Sequence, residues 1–181
     1  KHTPEWIVFE FMESVKPLYG LSRPREQLQV TDVVRSRDGG ALVRMRRLLY
    51  GVPVWGDHLT VRIDGDGVIR EVRGRMHPHL ERKTFRLRKH ANVTEREALA
   101  AAMDAAETKG LPFDAAEVEL VYMPTEPGTP LVYAVRFRRE SGGAAQDAAW
   151  DRSGKTGGAG GRGPVETVVF VHALTGRLIE E

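Results

Sequence analysis

The sequence predicts an α+β fold of two small units, each a single helix packed on a curled antiparallel β-sheet. Three observations carry that expectation. A capped amphipathic helix opens each half, runs of alternating apolar and polar residues follow each helix, and a basic segment separates the two halves. Helix then strands, given twice, is the pattern of two α+β units rather than of one interleaved α/β sheet.

The first helix opens at "TPEWIVFEFMESVKPLYG", with Thr3 as N-cap and Pro4 at the first helical position, where a missing N–H costs little. Ile7, Phe11, Val15 and Leu18 recur at helical spacing and mark the face to be buried. Pro17 kinks or shortens the last turn, and Gly20 closes it. "QLQVTDVV" carries Leu28 and Val30 in alternation. "ALVRMRRLLY" sets Ala41, Val43 and Met45 on one face and Leu42, Arg44 and Arg46 on the other. "HLTVRID" alternates Leu59, Val61 and Ile63 against polar neighbours, "DGDG" supplies a tight hairpin, and Val68 and Val72 share one side of the return strand. Between these strands lies "LLYGVPVWGDHLTV". Gly51, Pro53 and Gly56 interrupt its apolar run, so it reads as a sharp reversal in which the glycines supply positive φ and Pro53 stiffens an edge. Val52, Val54 and Trp55 are expected under the first helix, with a partner-facing Trp55 as the alternative.

The second half opens at "NVTEREALAAAMDAAETKGL", where Thr94 and Glu97 have capping-box spacing, Leu99, Ala102, Met103 and Ala106 form the apolar stripe, and Gly110 is the stop. Three strands follow: "EVELVYM", "LVYAVRF" and "VETVVFVHA". A tail, "TGRLIEE", turns at Thr175 and Gly176. Residues 141–163, rich in Gly and Ala, read as a long hairpin insertion, with Trp150 pinning it to the surface or meeting a partner.

Composition and motifs exclude several functions. At 41% apolar and 29% charged residues the chain reads as an ordinary soluble globular protein, and no apolar run approaches the roughly 18 to 20 residues of a membrane span. It lacks an initial Met and a basic-then-apolar leader, so a signal segment, where encoded, is expected to have been removed. With no cysteine there are no disulfides and no thiolate chemistry. The net charge of +2 is too small to argue for nucleic acid, and the basic residues 73–89 offer only Phe85 for base stacking, so they read as a solvated edge strand or linker. "SGKTGGAGG" lacks both the leading glycine and the following helix of a phosphate-binding loop. His77 and His79 have ligand spacing but no third partner placed by the sequence. No His-Glu-x-x-His or Gly-x-Ser-x-Gly signature is present, so nothing marks the chain as an enzyme.

Residues 42–74, "LVRMRRLLYGVPVWGDHLTVRIDGDGVIREVRG", resemble the N-terminal propeptide (FTP) module of secreted thermolysin-like and fungalysin-like metalloproteases. There a strand with basic residues runs into a Y-x-G-x-x-V-x-G type segment, followed by an alternating strand, an Asp/Asn/Gly hairpin and a return strand. Arg44, Tyr50, Gly51, Val52, Pro53, Val54 and Gly56 stand in that order here, with one residue fewer between the tyrosine and the first glycine than some forms of the pattern. The second half resembles the PepSY module of the same propeptides in its capped helix, "PLVYAVRF" and "VFVHALTGRLIE". His172 stands where that pattern has aspartate, which puts the carboxylate's turn-capping role in question, and the 141–163 insertion is long for the family.

The resemblance implies two cystatin-like units: an FTP-type module over 1–80, a basic connector over 81–92 and a PepSY module over 93–181. It implies a secreted, extracellular, monomeric prodomain, with no nucleic acid or membrane partner. The prodomain would act as intramolecular chaperone and inhibitor of a metalloprotease catalytic domain, covalently joined before cleavage and non-covalently bound after it. Arg44, Tyr50, Gly51, Pro53, Val54, Trp55, Gly56, His172, Thr175 and Gly176 are its candidate motif or interface residues. No cofactor is expected in this chain, zinc and calcium being expected only in the protease domain outside it. In such prodomains the segment after the PepSY sheet runs through the active site, so this piece is expected to dock but to inhibit less well than a longer propeptide. The alternative is a free-standing extracellular PepSY-type binding or protease-regulating module. A nucleic-acid role for the connector would predict strongly salt-dependent affinity.

Overall fold

Thr3 accepts a hydrogen bond from the Trp6 amide at 3.3 Å, and the first helix, α1 (Pro4–Val15), starts where the cap pattern puts it. The computed structural model describes residues 2–85, 90–139 and 165–179. The 141–163 insertion, with Trp150 and "SGKTGGAGG", and part of the basic connector lie outside these residues. Pro17 ends the α-helix early. A 3₁₀ turn (Lys16–Tyr19) follows and closes on Gly20 at φ 63°. The tighter turn carries Leu18 off the helix face, so Leu18 is 81% exposed rather than buried as its spacing implied, and Val8 and Met12 form the centre of the face. A short helix, α2 (Pro24–Gln27), which the sequence did not announce, leads into the first strand.

The first half continues with β1 (Leu28–Arg35), β2 (Ala41–Leu49), β3 (Val52–Ile63) and β4 (Ile69–Arg75), paired antiparallel in sequence order. Ala41, Val43, Met45, Leu59, Val61 and Ile63 are buried as their alternation requires, and most of them meet α1 in one core. At roughly 1.5 to 3 kcal/mol per buried aliphatic side chain, this face holds the helix to the sheet. In β4 the expectation fails at one position. The register slips between Arg62 and Ile63, so Ile69 joins Val72 at the core and Val68 is left exposed.

A second short helix, α3 (Leu80–Thr84), buries Leu80 and Thr84. The capping box of α4 (Glu95–Thr108) is complete: the Glu97 amide donates to Thr94 Oγ1 at 3.3 Å, and the Thr94 amide donates to Glu97 Oε2 at 2.8 Å. Ala98, Ala102 and Ala106 are its buried centre, with Leu99 and Met103 at the flanks. The helix lies on β5 (Ala115–Tyr122), β6 (Leu131–Arg139), β7 (Val165–His172) and β8 (Leu178–Ile179), again antiparallel in order. Tyr133, Val135 and Phe137 face α4, while Val132 and Ala134 face the opposite side with Phe170. The molecule is therefore a mixed α+β protein with antiparallel strands and few helices. The halves also meet directly, because Val54 of β3 pairs in parallel with Tyr122 of β5 and joins the strands into one eight-stranded sheet of order β1-β2-β3-β5-β6-β7-β8, with β4 branching off β3.

Candidate functional site

The candidate site grows out of the segment that looked broken in sequence. Residues 52–63 form one strand that runs through both Pro53 and Gly56, and the reversal is confined to Tyr50 and Gly51, at φ 52° and 80°. Two positive φ values in succession are what a two-residue type I′ hairpin requires. Pro53 is not at an edge, since it pairs with Leu48 inside the β2–β3 ladder. It is tolerated because in such a hairpin the pair next to the loop exchanges the hydrogen bonds and the following pair does not.

Gly56, at φ 76°, sits in a wide bulge. Arg46 pairs with His58 and Leu48 with Pro53, leaving Arg47 alone on β2 opposite Val54, Trp55, Gly56 and Asp57 on β3. The bulge shifts the phase of the strand. Before it Val54 points inward; after it Asp57, Leu59, Val61 and Ile63 do. Val52 and Val54 thereby pack in the core under α4 rather than under α1, because the bulge bends this end of β3 over to Tyr122. Trp55 takes the other face, edge-on to Phe170 with centroids 5.0 Å apart and with the Arg136 guanidinium 5.1 Å over its ring. Beside it, Glu119 accepts from Arg46 at 2.6 Å and from Arg136 at 3.1 Å along a groove of about 340 Å³.

The same bulge brings buried charges together. Arg47 is fully buried, and its Nη2 donates to both carboxylate oxygens of Glu81, at 3.0 and 3.2 Å. Its Nη1 donates to the His77 carbonyl and lies 4.0 Å from Asp57 Oδ2. Asp57, also buried, takes the His77 amide at 2.9 Å and faces His77 Nδ1 at 2.6 Å. Gln27 donates to Glu81, and Tyr50 reaches α3 by donating to the Glu81 carbonyl at 3.2 Å and accepting from Thr84 at 3.3 Å. A guanidinium out of water requires such partners. Arg47 Nε and the Tyr122 hydroxyl have no hydrogen-bond partner among the described residues, and burial first, then neighbouring Tyr50, raises the Tyr122 pKa.

This arrangement ties elements together. Among the described residues no hydroxyl hydrogen-bonds His77 Nε2 to complete a nucleophilic relay, and no three His, Asp or Glu side chains converge as a metal ligand set. Arg44, the basic residue of the pattern, lies on the outer face 3.5 Å from Asp32. At the far end, His172 does cap its turn: Nδ1 accepts from the Leu174 amide at 3.2 Å, the place a carboxylate oxygen would take. Thr175 Oγ1 accepts from the Arg177 amide, and Gly176, at φ 71°, lies under Val93. The candidate residues thus fall into two groups, the bulge and the His172 turn.

Sequence reasoning missed Arg47, Asp57 and Glu81, and it weighed His77 only as a metal ligand beside His79. One signal was present: in β2 the buried series Ala41, Val43, Met45 runs on to Arg47 before Leu49, so a charge stood in the core register.

Comparison with solved structures finds an uncharacterized protein from Eubacterium rectale ATCC 33656, 14% identical at a TM-score of 0.44, over 94% of this chain and 54% of that one. It also finds the C-terminal domain of Bacillus megaterium YpeB, 11% identical at 0.34, over 98% of this chain and 63% of that one. The chain spans less than two thirds of either structure. Residues 26–76 match the Fungalysin/Thermolysin Propeptide Motif. The part of the chain that holds β1 to β4, Arg47 and the Gly56 bulge therefore carries the propeptide motif of thermolysin-like proteases.

Proposed function

We propose that the chain is the prodomain of a secreted thermolysin-like metalloprotease, acting as chaperone and inhibitor of a catalytic domain outside these residues. The propeptide motif over residues 26–76 carries the reading. In the same proposal, residues 1–80 are the FTP-type module, 81–92 the connector and 93–181 the PepSY module with its insertion. A partner that binds the native protease and not its unfolded chain shifts the folding equilibrium by mass action, and one that binds a native-like intermediate lowers the barrier to it. That work requires a rigid surface. The buried Arg47 network and the β3–β5 pairing hold the motif in one shape. Of the motif residues, Arg44 and Tyr50 offer exposed side chains and Trp55 a half-buried one for a protease to touch, while Gly51 and Gly56, exposed but without side chains, shape the strand with Pro53 and Val54.

The test is to refold the denatured mature metalloprotease of the same precursor with and without this chain, and to titrate the native enzyme with it. Faster recovery of active protease together with inhibition is expected. Equal recovery and no inhibition would sink the reading. A coding sequence without a downstream His-Glu-x-x-His segment would instead favour a free-standing binding module.

A further inference from the structure

The most exposed large apolar side chains of the described residues, Leu18 at 81% and Phe85 at 75%, belong to the two segments that wall one groove, Leu18 to the 3₁₀ turn and Phe85 to the end of α3. The groove, about 360 Å³, runs between the 3₁₀ turn and α3 and is lined by Pro17, Gly20 and Leu21 on one side and His79, Glu81 and Arg82 on the other. Phe85 follows Arg82 by three positions and so lies on the same side of α3 one turn on.

Neither wall of the groove is loose. Gly20 presses on Pro78 so closely that a Cβ there would lie 2.8 Å from Pro78 Cα, and Leu80 and Thr84 anchor α3 in the interior. Tyr50, itself 39% exposed, fastens the hairpin tip to α3 through the Glu81 carbonyl and Thr84. Apolar side chains carried on anchored segments that flank a groove mark an interaction site rather than a frayed end. The charge around it has one sign. Arg82 and Lys83 make no ion pair among the described residues, whereas the nearby acids are engaged: Glu81 by Arg47 and Glu13 by Lys16.

We propose that this groove is a docking face for the protease catalytic domain, and that it receives an apolar side chain set among acidic residues. The proposal rests on the prodomain reading. Charge complementarity names the partner's chemistry, since Arg82 in the groove wall and Lys83 beside it on α3 favour an acidic rim and steer its approach. The concave shape favours a protruding protein side chain over a flat lipid surface.

The experiment measures the affinity of the chain for catalytically inactivated mature protease at low and high salt, and for phosphatidylcholine vesicles with and without phosphatidylserine. Two double variants, Leu18→Ser with Phe85→Ser and Arg82→Glu with Lys83→Glu, are compared with wild type. Val68→Ser, exposed on the β3–β4 hairpin, serves as control. Both double variants are expected to bind the protease about tenfold or more weakly, with melting temperatures unchanged because the side chains are exposed. The charge variant also loses the salt dependence. Wild-type affinity in both variants overturns the docking face and leaves the prodomain reading standing. Wild-type chain that binds no protease overturns both. Variants that keep the protease but lose vesicles containing phosphatidylserine overturn the proposal in favour of an anionic lipid surface.

Discussion

Arg47 shows how much one side chain can settle. Its charge is fully buried, yet its Nη atoms donate to Glu81 and the His77 carbonyl and face the Asp57 carboxylate 4.0 Å away, so the desolvation cost is offset by charge-assisted hydrogen bonds and a nearby counter-charge. Removing it leaves the buried Asp57 with only its two contacts to His77. Arg47→Ala is expected to lower unfolding stability by roughly 3 to 5 kcal/mol, read from urea denaturation; a loss below about 1 kcal/mol would show the network to be dispensable. Tyr122 is the opposite case. Its ring is buried to good effect, but its hydroxyl finds no partner among the described residues. Tyr122→Phe should therefore be neutral or stabilise the fold by about 1 kcal/mol, and a clear destabilisation would mean that the hydroxyl is engaged.

At the scale of elements, the Gly56 bulge decides which side chains of β3 face inward. A Cβ at Gly56 would meet nothing within 4 Å, so Gly56→Ala tests backbone conformation alone and should cost about 1 to 2 kcal/mol. A larger loss, with an altered far-UV spectrum, would indicate a slipped strand register. The start of α4 is set by its capping box, where hydrogen bonds from the Thr94 amide and hydroxyl hold the Glu97 pKa below its ordinary 4.5. A depressed carboxylate contributes stability that is present above its unfolded value and is lost as pH falls through the folded one. Acidification below about pH 4.5 should thus weaken α4, and Glu97→Gln should make the acid limb of the stability curve shallower. An unchanged acid limb would remove the capping carboxylate from the account. Here sequence and structure agree closely, because a cap and its partner lie three residues apart and no distant contact is needed.

For the whole molecule, the question is whether two α+β halves behave as one body. Among the described residues several links join them: Val54 pairs with Tyr122, Trp55 packs on Phe170, Arg46 donates to Glu119, and Arg47 grips the α3 turn whose Leu80 lies in the core under α4. Amides of α1 and α4 should then exchange with solvent at similar free energies in the intact chain. In a Trp55→Ala, Glu81→Ala double variant they should separate, as measured by native-state hydrogen exchange. If α1 and α4 already differ widely in the wild type, the halves fold independently and the links are incidental. Coupling of this kind would also serve the proposed chaperone, because a template that flexes between its halves cannot impose one geometry on a partner.

By itself the sequence determined the α+β class, both helices with their caps, most strand faces and the propeptide motif, since each depends on residues within a few positions of one another. Leu18 and Val68 escaped it because a 3₁₀ turn and a register slip moved them off the faces their spacing implied. Only the tertiary structure decided what the broken stretch around Pro53 was for. Its bulge sets Asp57 near Arg47, joins the two sheets and turns Trp55 to Phe170, and those partners lie far away along the chain, Glu81 being 34 positions from Arg47. Local periodicity carries no information about such pairings; they exist because a buried charge must find its counter-charge wherever the folded chain brings one.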